Sequence, residues 1–163
     1  MKGMDIYLND HLAGATAGLE LARRVARARH EAELDRLVEE IAADRDALLE
    51  IMRVLRVPKR PVKQYAAMLG ERIARLKPNG RLLHRSPVSD VVELEAMRLA
   101  IDGKAAGWRA LRRLAEQDDR LDAERLDALM ARAREQAEFV EGLRLDAVGT
   151  LLPRQVNDGP GRP

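Results

Sequence analysis

Cysteine is absent, which excludes disulfides and thiolate-held metals together. Aromatic residues are nearly absent too: one Trp, two Tyr and one Phe in 163 residues. With few β-branched residues besides, little is left from which to build sheets. No apolar run approaches the roughly 20 residues of a membrane span. Within residues 1–20, Asp5, Asn9, Asp10 and His11 interrupt any apolar core, so no signal peptide is expected and a cytoplasmic location is. No Ser-His-Asp grouping, glycine-rich phosphate loop after a strand, or zinc-type spacing occurs, and nucleophilic and phosphoryl-transfer enzymes therefore lack support.

What remains is Ala, Leu, Arg and Glu, the composition of long helices. A chain of this length suits one domain that buries about two-thirds of its unfolded surface. The net charge of +2 is unevenly placed. Arg53, Arg56, Lys59, Arg60, Lys63, Arg72, Arg75, Lys77, Arg81 and Arg85 face one acid, Glu71, so residues 53–85 carry +9 and the remainder −7 (2 minus 9). The same stretch holds Pro58, Pro61 and the turn signal Pro78-Asn79-Gly80.

The periodicity predicts a first helix over about Met4 to Arg29, with one broad apolar face and Glu20, Asn9 and Thr16 opposite it. Gly14 and Gly18 cost helix propensity and point to close approach of a neighbouring helix. A second helix follows over about Glu31 to Arg56, after a junction without Gly or Pro, and Pro58 and Pro61 end it. A shorter helix over about Val62 to Lys77 carries a narrow stripe: Val62, Tyr65, Ala66, Leu69, Ile73 and Leu76. Ser86 as N-cap with Pro87 at the first helical position starts the next, which runs to about Gln117. Its arc of apolar residues is the widest in the chain. Asp102-Gly103-Lys104 marks a possible bend, while Gly103 and Gly107 also read as small packing contacts. Asp122 caps the last helix, with Leu121 and Leu126 placed for a hydrophobic staple, and Pro153 closes it after Leu152. Residues 153–163 read as a disordered tail.

Two tight hairpins joined by residues 57–86 make an all-α, ferritin-like four-helix bundle over residues 1–152, with one long crossover containing a shorter fifth helix. The competing arrangement is a five-helix up-and-down array. In this organisation, and in the phrase Tyr7-Leu8-Asn9-Asp10-His11-Leu12, the chain resembles uncharacterised bacterial ferritin-like four-helix-bundle proteins. Metal-active members of that family supply a Glu from each of two helices and Glu-x-x-His from the other two. Here Glu20 points outward, the second helix reads Glu40-Ile41-Ala42-Ala43, and the last helix has no histidine. The resemblance therefore implies a bundle without the familiar di-metal centre, and no cofactor.

Polar residues inside apolar arcs carry the remaining chemistry: His11, Asp44, Glu93 and Lys104. If the first two helices pair about 29/30, residue i lies level with 59 − i, so Asp44 lies level with 15, roughly 6 Å along the axis from His11. The two are metal-ligand candidates, or simply two core polar groups that satisfy each other. Glu93 and Lys104 are too far apart to pair, and each is expected to reach a partner at the bundle edge or to snorkel. Trp108 and Tyr65 are expected to fill gaps in an alanine-rich core. Glu135, Glu138 and Glu141, interleaved with Arg132 and Arg134, read as a solvated face. In the crossover, Arg56, Lys59, Arg60, Lys63, Arg72, Arg75, Arg81 and Arg85 are candidates for a nucleic acid, another polyanion, an acidic protein or an anionic membrane surface, the favoured expectation being that they contact the acidic remainder within the chain or across an oligomer. Scarce aromatics count against base stacking. The expected function is non-catalytic, through protein contacts or self-association as a homo-oligomer. Metal binding by His11 and Asp44, and polyanion binding by the crossover, are the alternatives.

Overall fold

Two residues in the left-handed region punctuate the first half of the chain. His30, with φ 55°, turns it between the first two helices, and Arg56, with φ 59°, ends the second. In the computed structural model, which describes residues 2–60 and 87–151, four helices follow one another. They are α1 (Lys2–Arg29), α2 (Ala32–Val54), α3 (Pro87–Leu114) and α4 (Ala123–Gly149), and no strand occurs among the described residues. No helix there is long and apolar enough to cross a membrane. The expected helix over 62–77, the turn at 78–80, the Ser86 cap and the 153–163 tail lie outside the described residues.

The ends are built as local chemistry requires. Beyond α2, Arg56 N–H donates to Arg53 O at 3.1 Å and Val57 N–H to Met52 O at 2.8 Å. These two bonds, around a left-handed residue, make a Schellman close, and Val57 packs into the same apolar cluster as Met52. At α4, the Asp122 side chain accepts from Arg125 N–H at 3.0 Å, while Leu121 and Leu126 are buried together as a staple. The helix ends at Gly149, three residues short of the expected stop.

Contacts order the four helices. Gly18 of α1 faces Ala100 and His11 faces Gly107, so α1 and α3 run antiparallel. Arg45 Nε donates to Thr16 Oγ1 across α1 and α2, Arg112 pairs with Asp127 across α3 and α4, and Arg125 pairs with Glu50 across α4 and α2. Every neighbouring pair is antiparallel, which leaves α2 and α3 diagonal and parallel. The end of α2 and the start of α3 therefore stand at opposite ends of the bundle.

The core lies in two apolar halves. One gathers Leu8, Leu12, Leu48, Met52, Trp108, Leu111, Leu126 and Leu129. The other gathers Leu19, Val25, Leu34, Leu37, Leu94, Met97 and Val140. Their division falls at the same level on every helix: between Leu12 and Leu19, Ile41 and Ala47, Ile101 and Trp108, Ala133 and Ala137.

Candidate functional site

Between the two halves lies a layer of charge. Asp44, on the inner face of α2, is only 1% exposed. Its Oδ2 accepts from Lys104 Nζ of α3 at 2.5 Å, and its Oδ1 accepts from Arg132 of α4 through both Nε, at 2.8 Å, and a terminal guanidinium nitrogen. Lys104 donates again to Gln136 Oε1 at 2.5 Å. The Gln136 amide donates to Glu40 Oε2 at 3.1 Å, and Arg36 Nε reaches Glu40 Oε1 at 3.2 Å. A buried carboxylate is thus met by two cations and a second carboxylate by an arginine and an amide, the condition under which charge is tolerated in a core. Burial pushes the Lys104 ammonium below its ordinary 10.5, and Asp44 pulls it back up.

This corrects two expectations. Lys104 does not reach out to the bundle edge: it is the inward member of the pair. Arg132 does not belong wholly to the solvated face of α4, because it turns back to Asp44 from a side chain 36% exposed. Gln136, buried beside them, is not among the residues that the sequence pattern marks out. Glu93 does sit at the edge, 3.1 Å from Arg24. Asn9, expected on the outer side of α1, is buried. Its amide donates to Asp5 O and Pro58 O, and its oxygen accepts from Arg60 N–H.

Among the described residues α1 supplies none of the bonds of the charge layer, its Thr16 at that level being bonded to Arg45 instead. It brings Gly14, Ala15 and Gly18, and a groove of about 620 Å³ opens between α1 and α3 down to Asp44 and Lys104. The expected close approach holds at Gly18, 3.6 Å from Ala100, and at Gly107, where a Cβ would stand 3.0 Å from the His11 ring. It fails at Gly14 and Gly103, where an added Cβ would meet nothing within 4 Å among the described residues. Both line the groove instead.

His11 lines the same groove as Asp44, but the Asp44 oxygens are engaged by Lys104 and Arg132, and the imidazole stands edge-on to Tyr7 with ring centroids 4.5 Å apart. Among the described residues no group of three or more His, Cys, Asp or Glu side chains is placed to hold a metal ion. Burial holds His11 below its ordinary 6.5, with Asp10 acting in the opposite direction. The unfolded chain therefore binds this proton at higher pH than the folded one. His11's contribution is intact above about pH 6.5 and is lost as the pH falls through the depressed value. We expect His11→Gln to reduce the drop in melting temperature between about pH 7 and about pH 5. An equal drop in parent and variant would show that other groups carry it.

Arg56, Lys59 and Arg60 are exposed where the chain leaves α2. Lys63, Arg72, Arg75, Arg81 and Arg85 lie outside the described residues. The described chain is a four-helix, all-α bundle with a buried ionic layer. No protein-family model, no curated protein and no solved structure matches it.

Proposed function

We propose that the protein is a non-catalytic, ferritin-like bundle, with a fifth helix over 62–77 in its crossover, that acts through protein contacts and first of all with further copies of itself. The charge layer carries the reading. At the depth where a bundle of this kind would keep reactive carboxylates, Asp44 is spent on Lys104 and Arg132, and Glu40 on Arg36 and Gln136. A carboxylate so engaged is poorly placed to move a proton or ligate a metal. The parallel course of α2 and α3 supports a crossover that travels the length of the bundle.

Self-association is supported by what is left uncovered. Val88 in the first turn of α3, with Leu145, Val148 and Leu151 at the end of α4, are large exposed apolar side chains at one end of the bundle. Clustered exposed apolar surface is a mark of an interface. Native mass spectrometry at micromolar concentration should give a dimer or larger species. Leu145→Asp combined with Val148→Asp should return the monomer while stability changes by no more than about 0.5 kcal/mol per site. A parent protein that is strictly monomeric would overturn the reading.

A second reading, polyanion binding, is favoured by the exposure of Arg56, Lys59 and Arg60 side by side. It predicts retention on immobilised DNA that falls steeply with salt and weakens when Arg56, Arg60 and Arg75 are replaced by Ala. Passage without retention at low salt would end it.

A further inference from the structure

We infer that two copies of this chain pair through the outer side of α3, antiparallel about a two-fold axis at the level of Ile101, with Leu99 of each copy seated on the partner's Gly103. The inference rests on the self-association reading and deepens it by naming the surface, its register and its symmetry.

α3 has an apolar side that the bundle does not use. Its inner side buries Leu94, Met97, Ile101, Trp108 and Leu111. On the reverse side Val92, Ala96, Leu99, Gly103, Ala106 and Ala110 recur at alternating steps of four and three, the spacing of a seam along which two helices pack. Leu99, in the middle of that seam, is 67% exposed, the most of any large apolar side chain described. Gly103 and Ala106 are exposed as well. Val88, three turns before Leu99 and within about 20° of it around the helix, joins the seam to the exposed end patch. Gly103 points the same way. A glycine in mid-helix costs propensity, and close approach of a neighbour is the usual compensation. Among the described residues, an added Cβ there would meet nothing within 4 Å. A second molecule supplies the missing neighbour.

Reversed, the seam is complementary to itself. About an axis at Ile101, Leu99 meets the partner's Gly103, Ala96 the partner's Ala106 and Val92 the partner's Ala110, so the two large side chains of each copy face small ones. Along one flank Glu95, Asp102 and Arg109 recur every seven residues, and all three are exposed. The same axis brings Glu95 beside the partner's Arg109, and symmetry repeats the pair. These flanking positions are where charges select the partner and its orientation. Asp102, which meets its own copy at the axis, is already paired with Arg98 of its own chain. Only this register gives Leu99 a glycine to sit on. Shifted by one heptad, it meets the partner's Ala96 or the partner's Ala110, and Glu95 loses its arginine.

Native mass spectrometry of charge variants tests the pairing, with circular dichroism to confirm that each is folded. Glu95→Arg leaves both flanking positions basic and Arg109→Glu leaves both acidic, so each variant alone should dimerise about tenfold more weakly than the parent. Mixed in equal amounts, the two should give mostly heterodimer, because every basic position then faces an acidic one. Leu99→Asp, at a site exposed in the single chain, should fold and give a monomer. A parent dimer that persists equally in both charge variants, or a mixture without enrichment of the heterodimer, would overturn this pairing and leave self-association through another surface standing. A strictly monomeric parent would end the self-association reading and this pairing with it. If Leu99→Asp then lowered the melting temperature of that monomer, the chain itself would be what covers the face.

Discussion

Asp44→Ala is expected to destabilise the bundle by about 3–5 kcal/mol, towards the lower figure, in urea unfolding followed by circular dichroism. The loss comes from what stays behind rather than from the missing carboxylate. Lys104, its side chain 12% exposed, would keep a positive charge with Gln136 alone to solvate it. Two escapes limit the cost. Arg132 is long and already reaches solvent, so it can swing outward. Lys104 can shed its proton once Asp44 no longer holds its affinity up. Lys104→Met is expected to cost less, because Asp44 keeps its two-nitrogen bond with Arg132. Asp44→Ala milder than Lys104→Met would mean that the carboxylate is not the hub of the layer.

The second large effect is at Trp108, which is 2% exposed and packs with Leu8, Leu12 and Leu111. Trp108→Ala should cost about 3–5 kcal/mol, the usual range for removing a large aromatic from a core. Trp108→Phe is the sharper comparison. The indole Nε1–H is buried and finds no hydrogen-bond partner among the described residues. An unsatisfied buried donor costs about 1–3 kcal/mol, comparable with the apolar burial a phenyl ring gives up relative to the bicyclic indole. Trp108→Phe should therefore fall within about 1 kcal/mol of the parent by the same urea titration. A loss as large as that of Trp108→Ala would mean that the indole nitrogen is satisfied after all.

Helix positions were readable because each depends on residues close together in the chain. The Asp122 cap, the Leu121–Leu126 staple and the break between the first two helices are all decided within a few residues. Neighbours across the bundle were not readable in the same way. Placing Asp44 level with residue 15 located it at the right height, where α1 brings Gly14, Ala15 and Gly18. Its partners came from α3 and α4, which the arithmetic of one hairpin cannot reach. A usable clue was present: Asp44 and Lys104 interrupt two apolar faces with opposite charge. Arg132 gives a fainter one, since it also fits the outer side of α4, while Gln136 interrupts the buried face of Leu129, Ala133 and Val140 with a neutral polar group that charge patterning does not mark. Asn9 departs from its expected outer side for a related reason. Helix periodicity sets its direction, but only the chain returning past Pro58 makes that direction an interior one.

The ionic layer has a consequence for alignment. Leucines and alanines repeated every three or four residues would fit almost as well if one helix slid a turn past the next, because greasy contacts have no memory of height. Asp44 does have one. Displaced by a single turn, its carboxylate would leave Lys104 and Arg132 for a level lined by apolar side chains such as Ile101 or Trp108, where a buried charge has no cation to meet it. One buried carboxylate and its two cations thus act as the index mark that gives an otherwise repetitive interior a single setting.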